Sequence, residues 1–97
     1  MDWHFTANNP SEELAQLHFF TMKKRQPDGD VNFRITLKEY AVPPLGQRLH
    51  FFAEADKRVN QKTAALLPSG WGDSVWEALE GCLRLIRDFP YEGEERT

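Results

Sequence analysis

A near-repeat of four residues constrains the fold of this chain more than any other feature. Leu17–Phe20 reads Leu-His-Phe-Phe, and Leu49–Phe52 repeats the same four residues. Successive side chains of a β-strand point to opposite faces, so we expect Phe19 and Phe51 on one face of a sheet and Phe20 and Phe52 on the other. A helix of the chain can cover one aromatic face. The other face then needs a second cover, which can be the N-terminal residues, a second subunit or a ligand.

Strict alternation identifies the strand between the two copies. In Val31–Lys38, apolar residues occupy every odd position and polar residues every even one, as in a strand with one buried face. Pro27–Asp30 has the composition of a turn, and Pro43–Gly46 ends the strand because proline cannot donate to a ladder. We therefore predict an antiparallel meander with a first strand over Leu17–Arg25 and a third over Arg48–Asp56.

Two helices are predicted at the ends of the meander. Asn9-Pro10-Ser11-Glu12 combines a cap, a proline at the first helical position and an acidic first turn, which favours a short helix over residues 10–16. Ser74 and Glu77 form a capping box that starts a longer helix, which Pro90 ends. Its apolar residues fall on one stripe at helical spacing: Val75, Leu79, Cys82, Leu83, Ile86 and Phe89.

These elements predict a single α+β domain over residues 1–97, with the order α-β-β-β-α. Both helices are expected to pack on the sheet face that carries Phe19, Phe33 and Phe51. Residues 1–9 are interpreted as an N-terminal arm or a short strand, and residues 93–97 as an acidic tail. In the long connection before the last helix, residues 64–67 have the composition of a short edge strand.

The segment Gly72–Leu79 resembles the start of the last helix in HicB-like antitoxin domains, where a glycine-containing loop precedes an Ala-Leu-containing helix. The predicted element order is also similar to that of double-stranded RNA-binding domains. Members of that family place lysines at the start of the last helix, whereas this chain has Asp73, Glu77 and Glu80 there, which would repel RNA. Neither resemblance assigns a functional role to a residue of this chain.

The face opposite the helices is the candidate interaction face. The repeat and the alternation place aromatic, histidine and basic side chains there: His18, Phe20, Met22, Arg34, Lys38, His50 and Phe52. Exposed aromatics with interleaved bases can stack nucleobases, as in single-strand nucleic-acid platforms. An apolar patch of this kind also marks a protein interface. A cover formed by residues 1–8 is the third reading of the same pattern.

Five basic residues follow the two copies of the repeat: Lys23, Lys24, Arg25, Lys57 and Arg58. The first and third strands of a meander run parallel, so these residues are expected at one end of the sheet. They form a candidate anion patch. The alternative is that they are solvated strand ends that discourage pairing with other sheets.

Composition excludes several classes of function. The formal net charge is −3, whereas general phosphate-binding domains are usually basic. Cys82 is the only cysteine, so no internal disulfide and no cysteine-based zinc site is expected. His18 and His50 would stand about 9–10 Å apart on first and third strands, which is long for a shared metal. No nucleotide loop, nucleophile–base pair or carboxylate cluster occurs, so we predict no enzymatic activity and no cofactor.

The N-terminus has neither the basic start nor the apolar stretch of a signal peptide, and no apolar run reaches the ~20 residues of a membrane helix. We therefore predict a cytoplasmic protein. Its predicted function is protein–protein interaction, with an antitoxin-like or other regulatory role as one instance. We expect a homodimer that uses the candidate interaction face or the edge of the third strand. The second hypothesis is single-stranded nucleic-acid binding on Phe20, Arg34, Lys38 and Phe52.

Overall fold

The computed structural model describes Trp3 and residues 12–93. In these residues the chain forms a four-stranded antiparallel sheet in the order β1-β2-β3-β4, followed by one helix. The elements are β1 (Ala15–Gln26), β2 (Gly29–Tyr40), β3 (Phe51–Ala55), β4 (Ser69–Gly72) and α1 (Val75–Asp88). The first two strands form a hairpin of 12 residues a side, and β3 pairs only with the second half of β2.

The core lies between α1 and one face of the sheet. Phe33, Ile35 and Leu37 of β2 are fully buried, as the alternation of this strand predicts. The ring of Phe33 meets the ring of Tyr91 edge-on, with 6.0 Å between the ring centroids. The helix contributes its buried residues Ala78, Leu79, Cys82 and Ile86. Leu79, Cys82 and Ile86 belong to the predicted stripe, whose other members, Val75, Leu83 and Phe89, pack partly buried against the core. Ala78 is buried in addition.

The helix begins and ends as its sequence predicts. The Ser74 hydroxyl accepts a hydrogen bond from the Glu77 N–H at 3.2 Å, and the Glu77 carboxylate accepts one from the Asp73 N–H at 2.7 Å. Both bonds satisfy backbone donors at or beside the first turn. At the other end Phe89 leaves the helical conformation, and Pro90 follows it.

Two glycines of β4 allow the helix to pack directly on the strand backbone. A Cβ atom on Gly70 would lie 2.5 Å from the Ala78 carbonyl oxygen, and one on Gly72 would lie 2.5 Å from the Ala78 nitrogen. Real side chains never approach backbone atoms this closely, so only glycine fits at both positions. The glycine-rich sequence before the helix is therefore the fourth strand of the sheet.

The free end of the β1–β2 hairpin is fastened to the end of α1. The Lys24 ammonium donates to the carbonyl oxygens of Ile86 and Phe89, at 2.6 and 2.9 Å. Gln26 exchanges two hydrogen bonds of 2.9 Å with the backbone of Tyr91. Lys24 thus satisfies carbonyls that a helix C-terminus leaves without partners, and its charge complements the helix dipole.

The α+β class is as predicted, but the predicted α-β-β-β-α order is wrong. Ala15 and Gln16, assigned to an N-terminal helix, belong to β1, and Leu14 already accepts a backbone hydrogen bond from Ala41 at 2.9 Å. Twelve ladder pairs with β2 outweigh the local capping signals, because those signals favour a helix only weakly. Residues 10 and 11, the arm over residues 1–9 other than Trp3, and the end of the tail lie outside the described residues.

The fourth strand also differs from the prediction in its position. Residues 64–67 were expected to form a short edge strand, but there only Leu66 bridges to Val59. The strand that pairs with β3 is β4, a few residues further along. Its glycines are poor strand formers by propensity, and their close contact with α1 is a tertiary reason that propensity does not include.

Candidate functional site

The two-residue loop of the hairpin decides which residues share a face. Pro27 and Asp28 form the loop, Gln26 pairs with Gly29, and every odd-numbered residue of β1 therefore pairs with an even-numbered residue of β2. Directly paired residues point to the same side of a sheet. Because the buried side of β2 is odd-numbered, the helix-covered side of β1 is even-numbered. We call the opposite side, which no described element covers, the outer face.

The predicted interaction face is therefore split. His18, Phe20 and Met22 lie on the helix-covered side, where Phe20 and Met22 pack against the core, so their placement on the opposite face was wrong. His18 Nε2 lies 3.1 Å from a carboxylate oxygen of Glu39. For the same reason Phe19, predicted beneath the helices, points to the outer face instead.

The remaining members of the predicted face have different positions. Arg34, Lys38 and Phe52 lie on the outer face, as expected. His50 precedes β3, and its Nδ1 atom lies 2.9 Å from the backbone carbonyl oxygen of Tyr40. The structure thus brings three of the seven predicted residues together on one surface of the sheet.

An aromatic cluster lies on the outer face next to Lys38. The Trp71 ring lies 4.6 Å from the Phe52 ring and 6.1 Å from the Tyr40 ring, measured between centroids, and it is nearly parallel to Tyr40. Trp71 remains 37 % exposed. Lys38 pairs directly with Phe52 on the neighbouring strand, so a positive charge flanks the cluster. Flat rings next to a cation suit stacking against planar groups.

A second apolar group lies on the same face, on β1. Phe19 is 64 % exposed and Leu17 is 47 % exposed, although both lie within a regular strand. Their cross-strand partners are Thr36 and Lys38, which are not apolar. A phenylalanine this exposed contributes little to the stability of the isolated domain, because little of its surface leaves water.

The backbone of β1 is open along one edge. The Ala41 N–H bonds to the Leu14 carbonyl, and antiparallel ladders alternate between bonded and non-bonded pairs. The even-numbered residues of β1 therefore bond to β2, and the odd-numbered ones point their N–H and C=O groups away from it. No strand among the described residues pairs with this edge. Leu17 and Phe19 thus carry both an exposed apolar side chain and outward-pointing backbone groups.

The predicted anion patch is not a single site. Lys24 is engaged by the end of α1, and burial lowers the pKa of its ammonium, partly countered by Asp88. Lys57 donates to the Asn32 carbonyl oxygen at 2.6 Å and to Asp56 at 3.1 Å. Lys23 and Arg25 lie on the outer face, and Arg58 is exposed beyond β3.

The cleft beside Lys24 is also electrostatically mixed. It has a volume of about 520 Å³ and is lined by basic residues together with Asp28, Asp88 and Glu92. The carbonyl end of α1 adds further negative potential. This surface is poorly suited to hold an anion, although Lys24 and Arg25 both line it.

The Asp56 carboxylate, just after β3, accepts hydrogen bonds from Arg34 of β2 and from Lys57. Burial alone would raise the pKa of its carboxyl, but the hydrogen bond from the Arg34 N–H at 2.9 Å and the Lys57 ammonium outweigh burial, so the pKa lies below its ordinary value. Arg34 is held in position by its backbone through this bond and the 2.9 Å bond from the Asp56 N–H to its carbonyl oxygen. Its guanidinium points to the outer face.

A groove of about 540 Å³ runs between β4 and the first turns of α1. Trp71 forms one wall, and Trp76, which is 76 % exposed, forms another. Two of its carboxylates already have partners, since Glu77 accepts from the Asp73 N–H and Glu80 pairs with Arg87 at 3.0 Å. These contacts account for the carboxylates of Glu77 and Glu80 without a ligand.

The described residues contain no group of three or more His, Cys, Asp or Glu side chains that could hold a metal ion. Cys82 is buried in the core, its thiol contacts the Pro68 carbonyl oxygen, and burial raises its pKa to about 11. A thiol in this state is a weak nucleophile at neutral pH. No helix in the described part of the chain combines the length and the apolarity needed to cross a membrane.

Sequence reasoning missed the exposure of Leu17, Phe19 and Trp71, and it did not place the buried Tyr40 in the aromatic cluster. The signal that reveals the first two is the parity of the hairpin, because a two-residue loop between Gln26 and Gly29 places odd β1 residues opposite even β2 residues. No comparable signal exists for Trp71, since its place depends on recognising Ser69–Gly72 as a strand.

The comparisons with known proteins leave the site to be interpreted from its geometry, since no family model, curated protein or solved structure matches the chain. The predicted resemblances depended partly on an α-β-β-β-α order, which the described residues do not have. What remains of them is the segment Gly72–Leu79, which joins β4 to α1.

Proposed function

We propose that this chain is a non-catalytic protein–protein interaction domain of the cytoplasm that self-associates through the edge of β1 and the adjoining outer face. The observation that carries the proposal is the exposure of Phe19 and Leu17 on a strand whose outer edge has no neighbour among the described residues. Apolar residues on an open strand edge favour pairing with another strand, because pairing satisfies the backbone and removes the side chains from water.

The length of β1 supports this choice of surface. β1 has 12 residues and contains no proline, so its ladder groups can continue along the whole strand. Its open edge is protected at one end only, where Lys23 and Arg25 point to the outer face. The edge of β3, which was predicted as an interface, is occupied by β4 and is no longer proposed.

A regulatory role, antitoxin-like or other, is one instance of such a domain. A protein that works by association needs an exposed apolar surface and no catalytic centre, and the outer face supplies the surface. The similarity of Gly72–Leu79 to HicB-like domains is the basis for naming that class.

Single-stranded nucleic-acid binding is the second candidate, favoured by the aromatic cluster of Tyr40, Phe52 and Trp71. On the outer face the Trp71 ring is nearly parallel to Tyr40 and tilted against Phe52, and Lys38 pairs directly with Phe52, while Arg34 lies further along β2. Nucleobases stack on such rings, and basic side chains bind the phosphates of the nucleic-acid backbone. Glu54 on the same face and the net charge of −3 oppose this candidate.

Light scattering after size-exclusion chromatography tests the first candidate. We expect the mass of the wild-type protein to rise with concentration, and the mass of Phe19→Glu to stay that of a monomer with an unchanged circular-dichroism spectrum. Arg34→Glu is the control, since it changes charge on the same face away from the open edge. A wild-type protein that stays monomeric at all concentrations would refute self-association.

Fluorescence anisotropy with a labelled single-stranded oligonucleotide tests the second candidate. Binding that weakens with salt and is lost in Lys38→Glu and Trp71→Ala, while Phe19→Glu still binds, would favour the nucleic-acid platform. No binding at low salt would leave protein interaction as the function of the face.

A further inference from the structure

We infer that the partner at the β1 edge is a second copy of this chain, paired antiparallel about a twofold axis that passes at His18. This inference rests on the proposed function and specifies its register. The axis stands perpendicular to the sheet, so both helices lie on one side and both outer faces on the other. The two sheets then form one sheet of eight strands.

The backbone restricts the registers that two β1 edges can adopt. Only odd-numbered residues of β1 point their N–H and C=O groups outward, so odd residues must face odd residues of the partner. The allowed registers therefore differ by shifts of two residues between the strands. Each such shift moves the twofold axis by one residue. Each allowed register keeps the outer-face side chains of both copies on the same side.

Among these registers, the one centred on His18 matches the side chains best. It places Leu17 of each copy opposite Phe19 of the other, so the two most exposed apolar residues of β1 cover one another twice. Centring one residue later would instead leave Leu17 opposite Thr21. Cross-strand apolar pairs stabilise a sheet more than mixed pairs of this kind.

Charge gives an independent reason for the same register. Glu12 and Glu13 are exposed just before β1, and Lys23 is exposed near the end of the strand. In an antiparallel pair centred on His18, Lys23 of each copy faces Glu13 of the other, on the outer face. Opposite charges therefore flank the apolar centre on both sides, and a parallel arrangement would place like charges together.

The helix-covered side of the strand also fits this arrangement. Leu14, which is 40 % exposed, would face the partly buried Met22 of the partner. His18 of the two copies would be directly opposite as a non-hydrogen-bonded pair, whose Cα atoms stand about 4.5 Å apart in antiparallel sheets. That separation is within the range of a disulfide bond.

Disulfide trapping tests the register. We expect His18→Cys to form a covalent dimer under mild oxidation, because the two introduced thiols face one another across the axis. Thr21→Cys is the matched control, since its copies would stand about 20 Å apart and should not cross-link. The native thiol of Cys82 is buried and does not compete.

The outcome separates the register from the proposed function. Association by light scattering without cross-linking of His18→Cys would overturn the register and retain self-association. Absence of association in the wild-type protein would overturn both.

Charge exchange between two variants is a second test that does not depend on cysteine. Glu13→Lys and Lys23→Glu should each self-associate more weakly than wild type, by about threefold to tenfold, because each homodimer opposes like charges twice. An equimolar mixture should recover association, since each Lys then faces a Glu. If the mixture is no stronger than the separate variants, Glu13 and Lys23 do not meet and the register is wrong.

Discussion

The two edges of the sheet are built in opposite ways, and the contrast shows which one is available to a partner. The β4 edge has four residues, two of them glycines pressed against α1, and it continues at once into the helix. The β1 edge has 12 residues, regular pairing on its inner side and apolar side chains exposed on its outer face. A short edge tied to a helix resists further pairing, whereas a long, regular edge favours it.

A side chain at Gly70 should have the largest effect on stability, because it would push β4 away from α1. Any side chain there meets the backbone of Ala78, so we expect Gly70→Val to destabilise the domain by about 3 kcal/mol or more. Urea denaturation measures the change in free energy of unfolding. Ser69→Val is the control, because Ser69 lies on the opposite side of β4 from α1. Gly46→Val would be a poorer control, because Gly46 has a positive φ that valine rarely adopts.

The orientation of β1 can be tested with the two adjacent phenylalanines. Phe20→Ala should lower the free energy of unfolding by about 2 kcal/mol, because Phe20 packs against the core. Phe19→Ala should change it by less than about 0.5 kcal/mol at concentrations where the protein is monomeric. A larger effect of Phe19→Ala than of Phe20→Ala would mean that β1 is turned the other way.

The attachment of the hairpin to α1 should contribute less. Lys24→Met removes the two hydrogen bonds to the helix carbonyls and should cost roughly 1 kcal/mol, while Lys23→Met, one residue away on the outer face, should cost almost nothing. Thermal denaturation by circular dichroism compares the two. A larger loss for Lys23→Met would contradict the assignment of Lys24 as the helix cap.

The smallest effect concerns Asp56 and acid. The pKa of this carboxyl is lowered in the folded state, so its contribution to stability is present above its ordinary pKa of 3.8 and is lost as the pH falls through the lower, folded value. We expect stability to fall more steeply with acid in the wild type than in Asp56→Asn. Parallel curves of unfolding free energy against pH would contradict the role of the Arg34 N–H and Lys57.

Much of the fold follows from local sequence patterns. The alternation of Val31–Lys38, the turn at Pro27 and the capping box at Ser74 each predict an element that the structure contains. These signals succeed because each one depends on residues close in sequence, and no tertiary contact opposes them.

Two of the errors have the same cause. Tertiary contacts, which local sequence patterns do not contain, determine the structure of these two segments. The predicted helix over residues 10–16 fails where its last residues pair with the end of β2, and β4 was missed because its glycines are explained only by their contact with α1. The near-repeat was misleading in a different way. Its copies, Leu17–Phe20 and Leu49–Phe52, present opposite faces, because β1 pairs odd with even residues of β2 while β3 pairs odd with odd.

The candidate site was predicted only in part for the same reason. Arg34, Lys38 and Phe52 were assigned correctly to the outer face, since β2 and β3 have the expected orientation. Because β1 has the opposite orientation to the predicted one, Leu17 and Phe19 lie on the outer face in place of His18, Phe20 and Met22. A one-residue change of strand phase moves every side chain to the other face, so it also changed the part of the surface proposed as an interface.

Sedimentation equilibrium of wild type and Thr21→Pro tests the central claim, that the open backbone of β1 is the association surface. The Thr21 N–H points away from β2, so proline there removes no hydrogen bond within the domain but blocks pairing at the edge. Thr21→Val, which keeps the N–H, is the control. We predict that wild type and Thr21→Val associate while Thr21→Pro is a folded monomer. A folded Thr21→Pro that associates as strongly as wild type would contradict the account.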